Sequence, residues 1–237
     1  MRSSKNGLKP WKKKMWCIPP EQSAAFVAAM EAVLCLYALA YDPAFPVVCM
    51  DEQPKQLIGE TRRRFTDSTG RRIQDHEYVR HGTCNLWMFT EPLAGWRDVR
   101  TSPRRTAVDW AHQIQALVDD PRYASAERIR LVCDNLNTHR TALLYDAFPA
   151  AEARRIAERI ELVHTPAHGS WLNIAECELS VLSRQCLGRR IDTLEEIDRE
   201  AKAWATARNQ NQRGVTWQFT TEDARIELLS LYPRIEA

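Results

Sequence analysis

The sequence predicts an α/β fold in which a mixed β-sheet is flanked by helices, and three observations support this. Apolar stretches of strand length alternate with longer amphipathic stretches, in the order strands, helix, strand, helix, strand, helix. Two of the short apolar stretches run directly into an aspartate, Asp51 or Asp134, and such strand ends are where ligand sites of α/β sheets gather. The 237 residues, 44% hydrophobic and 27% charged, suffice for one main domain with appendages.

The N-terminal part predicts a basic leader, one apolar helix and a short strand. Residues 24–41 form an apolar stretch that follows Pro19-Pro20 and is ended by two further prolines. This stretch just reaches transmembrane length, but Glu31 at its centre would be costly in hydrocarbon, so we interpret it as a buried or packing helix. Residues 47–50 then predict a short buried strand that ends at Asp51.

The middle of the chain predicts a strand pair and a helix. Residues 53–80 are polar and arginine-rich without an apolar period, which indicates a loop or an edge hairpin. Residues 83–92 and 95–101 predict two strands that turn at Leu93-Ala94-Gly95. Residues 106–120 predict an amphipathic helix, and the apolar face of this helix contains Val108, Ala111, Ile114 and Leu117 or Val118.

The C-terminal half alternates strands and helices. Its predicted elements are a strand at 128–134, a helical region at 138–160 broken at Phe148-Pro149, a strand at 160–166, and helices at 170–187, 193–210 and 220–233.

Three carboxylates stand out in this arrangement. Asp51 and Asp134 end strands that we expect to be neighbours, so their side chains should approach each other, although an aspartate at a strand end also caps helices. Glu176 lies in the next helix at the border of its apolar stripe, where an acid needs a partner or must reach water. Glu178 is the alternative to Glu176 as the third acid. Residues two positions apart on a helix are about 200° apart, so both cannot face one site. We expect Glu178 to pair with a basic residue such as Arg184 or to remain solvated.

The residue types favour a hard cation over other chemistry. Three carboxylates without matching cysteines or histidines suit Mg²⁺ or Mn²⁺, which prefer oxygen ligands, rather than zinc. Seven cysteines without a CxxC pair, mostly in apolar stretches, indicate reduced, buried thiols in a cytoplasm, and we interpret Cys133 and Cys177 as apolar fillers. The sequence contains no GxxxxGK[ST], GxGxxG or GxSxG motif, so nucleotide and serine hydrolysis lack their usual residues.

Three blocks of sequence carry a resemblance to a known family. "VVCMDEQP", "LVCDNLNTHR" and "HTPAHGSWLNIAECELSVLSRQCL" resemble the signature blocks of bacterial insertion-sequence transposases in the mariner-like DDE superfamily. The blocks occur in the right order, each with its acid, and the similarity extends over residues 9–233. The family's catalytic domain has a ribonuclease-H-like fold, so the resemblance implies that fold, with a basic leader and linker helix at 1–45, the catalytic domain at 46–210 and a tail at 211–237.

The resemblance also implies the chemistry. Asp51, Asp134 and Glu176 would be the catalytic and metal-binding triad, holding two Mg²⁺ or Mn²⁺ ions for DNA strand cleavage and strand transfer in cut-and-paste transposition. Further residues match the family's motifs and are expected to support the metal and DNA, or else to hold the strand ends as turn and cap residues, among them Asn135, His139, His168 and Asn173.

DNA would be the partner, and basic clusters are the expected contacts. The net charge is only +2, but basic residues cluster in the leader and before residue 73, as suits a polyanion, or equally a solvated tail and loop. The expected phosphate contacts are Lys12, Lys13, Lys14, Arg62, Arg63, Arg64, Arg71 and Arg72. By the same resemblance we expect a homodimer on double-stranded DNA, both element ends and target, and a cytoplasmic, nucleoid-associated bacterial location without membrane contact.

The chain also departs from the family. It shows no helix-turn-helix modules before the catalytic blocks, so we expect DNA binding with little sequence preference. Two alternatives therefore stay open. One is another ribonuclease-H-like nuclease or integrase, and the other is a non-catalytic DNA-binding remnant.

Overall fold

The computed structural model describes residues 23–62, 65–73, 75–211 and 214–234. Helix α1 (Ala24–Tyr37) begins after Ser23, whose side chain accepts a hydrogen bond from the backbone N–H of Phe26. The helix ends earlier than the predicted residue 41. The basic leader, including Lys12, Lys13 and Lys14, lies outside the described residues.

The strands among the described residues are β1 (Val47–Glu60), β2 (Phe65–Thr66), β3 (Arg72–Ile73), β4 (Tyr78–Glu91), β5 (Trp96–Ser102), β6 (Ile129–Cys133) and β7 (Ile160–His164). Five of them form one mixed sheet in the order β5-β4-β1-β6-β7. Strands β4 and β5 pair antiparallel beside β1, whereas β6 and β7 run parallel to it on the other side. Two short strands, β2 and β3, form a separate antiparallel pair.

Strand β1 is longer than predicted, so Asp51 lies within the strand and not at its end. Its pairing with β4 continues to Glu60, with one irregularity between Gln56 and Ile58, so residues 53–80 contain the hairpin that was one of the two alternatives. An apolar period was not needed there, because the two arms satisfy each other's backbone groups. The parallel pairing of β1 with β6 stops at Cys49. Asp51 therefore lies just beyond the parallel part of the sheet.

Seven α-helices lie among the described residues. Besides α1 they are α2 (Ala107–Val118), α3 (Leu144–Ala147), α4 (Ala150–Arg159), α5 (Ile174–Gln185), α6 (Leu194–Gln210) and α7 (Thr221–Glu227). Most were predicted, including the break at Phe148-Pro149. Val108 of α2 was placed wrongly, since it is exposed and Trp110 is buried instead. Val108 is two residues before Trp110, about 160° around the helix, and so faces away from the buried side.

The two faces of the sheet bury separate apolar clusters. Cys49 belongs to the cluster that includes residues of α1, α5, α6 and α7, and Val48 and Met50 belong to the cluster that includes residues of α2, α3 and α4. Successive side chains of a strand point to opposite faces. By this alternation Asp51 points toward the α5 side of the sheet and Glu52 toward the α2 side.

The predicted mixed sheet flanked by helices is confirmed. In the part of the chain that is described, no helix is both long and apolar enough to cross a membrane. The cysteine interpretation holds for Cys49, Cys84 and Cys133, which are buried, but is wrong for Cys35 and Cys177, which are exposed. Cys177 follows Glu176 on the solvent side of α5, so it does not fill the core.

Candidate active site

An open cleft brings the first and third predicted acids together. The cleft has a volume of about 370 Å³, and it is lined by both Asp51 of β1 and Glu176 in the first turn of α5. Residues of the same strand and helix complete the lining: Glu52, Gln53, Leu179, Ser180, Ser183 and Arg184. The cleft therefore lies between the central strand and the helix that carries Glu176.

Asn173 fixes α5 against β1 beside this cleft. Its side-chain amide donates a hydrogen bond to the carbonyl oxygen of Met50 at 2.9 Å, and its Oδ1 accepts one from the backbone N–H of Ala175 at 3.1 Å. The side chain is fully buried and caps the helix. Because Met50 precedes Asp51 and Ala175 precedes Glu176, this one amide holds both acids in register.

The second predicted acid, Asp134, follows β6 and contacts a buried histidine. Oδ1 of Asp134 lies 2.5 Å from Nδ1 of His139, and Nε2 of His139 lies 3.4 Å from Oε2 of Glu52. The His139 ring is 1% exposed and stacks on Trp110 at 5.7 Å between ring centroids. His139 thus connects the end of β6 to the α2 side of β1.

Electrostatics show that the acids act on one another. Burial raises the pKa of Asp51 to about 7, and the neighbouring charges of Glu52, Asp134 and Glu176 add to the rise, against a hydrogen bond from the backbone of Glu52. Burial alone would lower the pKa of His139, but hydrogen bonds to Asp134, Cys133 and Glu52 outweigh it and raise that pKa to about 12. The acidic neighbours of Asp51 therefore disfavour its ionised form, and His139 is held in its protonated form between Asp134 and Glu52.

These residues fit a divalent metal ion. Glu52, Asp134 and His139 each place a ligand atom within 4.8 Å of the others. Oε2 of Glu52 and Oδ1 of Asp134 are buried beside the His139 ring, and each carboxylate oxygen has lone pairs left for a cation. Asp51 and Glu176 add carboxylate oxygens from the cleft, the ligand type that Mg²⁺ and Mn²⁺ prefer. The residues as a set suit a hard cation with mainly oxygen ligands.

Glu52 is the residue that sequence reasoning missed. It directly follows Asp51, and strand alternation sends the two carboxylates to opposite faces of β1. The signal was the Asp-Glu pair itself, once the strand is known to continue past Asp51.

Glu178 pairs with a basic residue, as one of the two alternatives expected, but the partner is not Arg184 and the carboxylate is not solvated. Glu178 is 4% exposed, and its carboxylate accepts hydrogen bonds at 2.9 Å from Nε and a terminal nitrogen of Arg97. A terminal nitrogen of Arg208 lies 3.4 Å from the same carboxylate. Glu178 is buried because it shares the inward face of α5 with Ala175 and Leu182, whereas Glu176 is exposed toward the cleft. Arg97 lies on β5, far from this helix in sequence, so local spacing could not reveal the pair.

The other predicted supporting residues lie elsewhere. Asn135 and His168 line a separate cleft of about 320 Å³ beside the start of α1. His168 has a positive φ of 63°, a left-handed conformation that is uncommon outside glycine. The structure therefore does not place these two side chains in the cleft that contains Asp51.

The predicted phosphate contacts are only partly described. Arg62 is exposed and contacts Asp75 at 3.2 Å, and the backbone N–H of exposed Arg71 donates to the Asp67 carboxylate. Both residues lie in the segment that joins β1 to β4, beside the β2–β3 pair. Lys12, Lys13, Lys14, Arg63, Arg64 and the side chain of Arg72 lie outside what the structure describes.

Fold and site together define an α/β protein with a candidate divalent-metal centre at the edge of the parallel strands. Residues 46–198, more than half of the chain, match the family model described as DDE superfamily endonuclease. The chain belongs to this family. No curated protein matched the chain by sequence.

Solved structures of Mos1 mariner transposase are similar in fold. The paired end complex with Mn has a TM-score of 0.55 and 17% identity, with 85% of this chain and 61% of that chain covered. The strand transfer complex has a TM-score of 0.57 and 14% identity, covering 90% and 62%. The paired end complex with Mg has a TM-score of 0.56 and 16% identity, covering 95% and 67%. The chain spans about three fifths of the length of the first two.

Proposed function

We propose that this chain is the catalytic part of a DNA transposase of a bacterial insertion sequence, which cleaves DNA strands and joins them to a target. The observation that carries the proposal is the joint placement of Asp51 and Glu176 in one open cleft, with Asp134 close enough to raise the pKa of Asp51. Family membership supports the same reaction class. The catalytic domain would comprise residues 46–210, preceded by a leader and linker helix at 1–45 and followed by a tail at 211–237.

Asp51, Asp134 and Glu176 would hold two divalent cations. When bound, the cations supply activation of the attacking oxygen and stabilisation of the leaving oxygen at a phosphodiester. The protein residues set the geometry. Asn173 keeps Asp51 and Glu176 in register, and His139 holds the Asp134 carboxylate on the side of Glu52.

The uncompensated charge of the acids has a function in this proposal. Repulsion among the carboxylates and their burial disfavour the ionised form of Asp51 in the metal-free protein. Asp51 would bind a cation in its ionised form, and the positive charge would offset the repulsion among the carboxylates and the effect of their burial. Because the cleft is open, a DNA strand can reach the same carboxylates.

DNA would be the partner, bound mainly through its phosphates. Arg62 and Arg71 are exposed in the β1–β4 segment and are proposed phosphate contacts, together with Lys12, Lys13, Lys14, Arg63, Arg64 and Arg72. Asn135 and His168 are proposed to face DNA from the cleft beside α1. We further propose a homodimer on DNA in the bacterial cytoplasm, with the nucleoid as its location.

Mn²⁺-supported reactions with pre-cut DNA ends from the region that flanks the reading frame test the proposal. Labelled end duplexes and a supercoiled target plasmid are incubated with the protein, and Asp51→Asn serves as the inactive control. Joined products that Asp51→Asn does not form support the transposase. Nicking without joining would replace it by a nuclease of the same fold, and DNA binding without either reaction would leave a non-catalytic DNA-binding protein.

A further inference from the structure

The cleft continues beyond the acids along one face of α5. Glu176, Ser180, Ser183 and Arg184 are spaced by four, seven and eight residues from the first, which places them on one side of a helix, and all four line the cleft. Gln53 of β1 lines the opposite wall, and its Oε1 accepts a hydrogen bond from the Ser183 hydroxyl at 3.2 Å. The acidic end of the cleft thus leads into an end lined by neutral donors and one cation.

Arg184 is exposed, and within the described ranges it has no hydrogen bond or ion pair. The acid that sequence spacing offered it, Glu178, is taken by Arg97 and Arg208 on the other side of α5. Three carboxylates also line the cleft, but none of them forms an ion pair with Arg184 in the part of the chain described. The charge of Arg184 is therefore available to a polyanion. The neighbouring serine hydroxyls and the Gln53 amide are further donors for phosphate oxygens.

The spacing matches a nucleic-acid backbone. Eight residues of helix separate Glu176 from Arg184, a rise of about 12 Å. Phosphates of one strand follow each other every ~3.4 Å along a duplex axis, so Arg184 would meet a phosphate about three or four positions from one held at the acids.

We infer that Gln53, Ser180, Ser183 and Arg184 form a phosphate-binding groove for the DNA strand whose reacting phosphodiester lies at Asp51 and Glu176. The inference deepens the proposed function and rests on it for the position of the reacting phosphate. The groove contacts the backbone and not the base edges, so it holds any sequence in register with the acids.

The test measures binding of a 3′-hydroxyl duplex of arbitrary sequence in Ca²⁺, which takes oxygen ligands, by fluorescence anisotropy over a range of salt. Arg184→Gln should weaken binding about five- to tenfold and reduce the slope of log affinity against log salt by about 1. Arg184→Lys should stay close to wild type. Arg128→Gln is the matched control. Arg128 is exposed and directly precedes β6, whereas Asp134 directly follows β6, so Arg128 lies at the far end of the strand from the acids. The Arg128→Gln variant should bind DNA as the wild type does.

A phosphate scan locates the contact. Each of the last six phosphates at the 3′ end is replaced singly by a neutral methylphosphonate, and the wild-type protein should lose affinity at a position three or four phosphates from the end. In the Arg184→Gln variant, the methylphosphonate at that position should cause no further loss of affinity, whereas methylphosphonates at the other positions should weaken binding as they do for the wild type. An unchanged pattern in Arg184→Gln, or equal binding by Arg184→Gln and Arg128→Gln, would overturn the inference.

The outcomes separate this inference from the proposed function. Asp51-dependent cleavage together with wild-type binding by Arg184→Gln would reject the groove and keep the transposase. A position-specific loss of binding in Arg184→Gln, with no cleavage by the wild-type protein, would keep the groove and reject the enzyme. Melting temperatures of the variants, expected within 1–2 °C of wild type for exposed side chains, exclude a folding defect.

Discussion

The acids on the two sides of helix α5 lie in opposite electrostatic environments. On the inward side, Glu178 is buried and its carboxylate is matched by the guanidinium of Arg97, with Arg208 close by. On the cleft side, Glu176 is exposed beside Asp51, whose pKa is raised through burial and the charges of its acidic neighbours. Two glutamates of one helix, two residues apart, therefore face a compensated and an uncompensated environment.

The difference separates an acid that the fold compensates from acids that it leaves uncompensated. A buried carboxylate is tolerated in a fold when a cation and hydrogen bonds match it, as for Glu178. Acids gathered with too little positive charge destabilise the protein alone and are retained where an external cation binds. The cleft side is thus where function is expected, and the inward side fixes the rotation of α5 that turns Glu176 toward Asp51.

The largest expected effect is on the cleft side. Glu176→Gln should reduce Mn²⁺-supported cleavage and joining at least ~10³-fold, because a neutral amide replaces a metal ligand, while DNA affinity stays within about threefold. Asp51→Asn and Asp134→Asn should do the same. Rates are measured on labelled end duplexes, and affinity by anisotropy in Ca²⁺. If Glu176→Gln keeps its activity, Glu176 is not a ligand and the comparison between the two sides fails.

The next largest effect is on the inward side. Glu178→Gln should lower the free energy of unfolding by ~3–5 kcal/mol, because Arg97 is left as a buried charge without its carboxylate. Urea unfolding followed by circular dichroism measures this. Replacing both Glu178 and Arg97 by methionine should cost clearly less than either single replacement, since no fully buried charge is then left without its partner, and Arg208 is partly exposed to water. Equal costs for the single and double variants would show that the pair is not coupled.

Much of the fold followed from the sequence, because apolar periods and turn residues are local signals. The strand pair around Leu93-Ala94-Gly95, the break at Phe148-Pro149 and the order of elements were all predicted in this way. The extension of β1 to Glu60 was left open between a loop and a hairpin, because the residues of both arms are polar and show no apolar period. The exposure of Val108 was missed because a large aromatic, Trp110, determines the buried face of α2.

The residues of the candidate site were likewise predicted where the signal is local and missed where it is tertiary. Asp51, Asp134 and Glu176 were predicted because each stands in a recognisable sequence block, after a short apolar stretch or near a helix start. The roles of Glu52 and His139 depend on the meeting of β1, the β6 end and α2, which is a tertiary fact. The partner of Glu178 was assigned wrongly for the same reason, since Arg97 lies on β5.

A smaller effect concerns the stability of the metal-free protein. The pKa of Asp51 is raised to about 7 in the fold, above its unfolded value near ~3.9, so ionisation of Asp51 destabilises the fold progressively as pH rises between these values. Asp51→Asn should therefore be more stable than wild type at pH 8 by at least ~1 kcal/mol, and the gain should vanish near pH 4. Urea unfolding in EDTA at both pH values measures the difference. A loss of stability at pH 8 would make Asp51 a structural residue.

The smallest effect lies on an ion pair away from the cleft, which joins α1 to α7. Glu31 accepts two hydrogen bonds at 2.9 Å from Arg225 and one at 2.8 Å from the Tyr232 hydroxyl. The Arg225 hydrogen bonds lower the pKa of Glu31, and that of Tyr232 assists, against partial burial. Like Glu178, this acid is compensated, but its arginine is largely exposed to solvent.

The Glu31→Gln variant therefore tests how much an ion pair contributes to the stability of the fold when water screens it. A lowered folded pKa means that the stabilisation is present above the unfolded pKa of ~4.3 and is lost as pH falls through the folded value. At pH 7 the variant should be less stable by under ~1 kcal/mol, with the difference shrinking below pH 4 and in 1 M salt. Thermal unfolding at pH 7 and pH 3 measures it. A cost at pH 7 as large as that of Glu178→Gln would mean that burial does not distinguish the two pairs, and the contrast between the sides of α5 would then rest on metal binding alone.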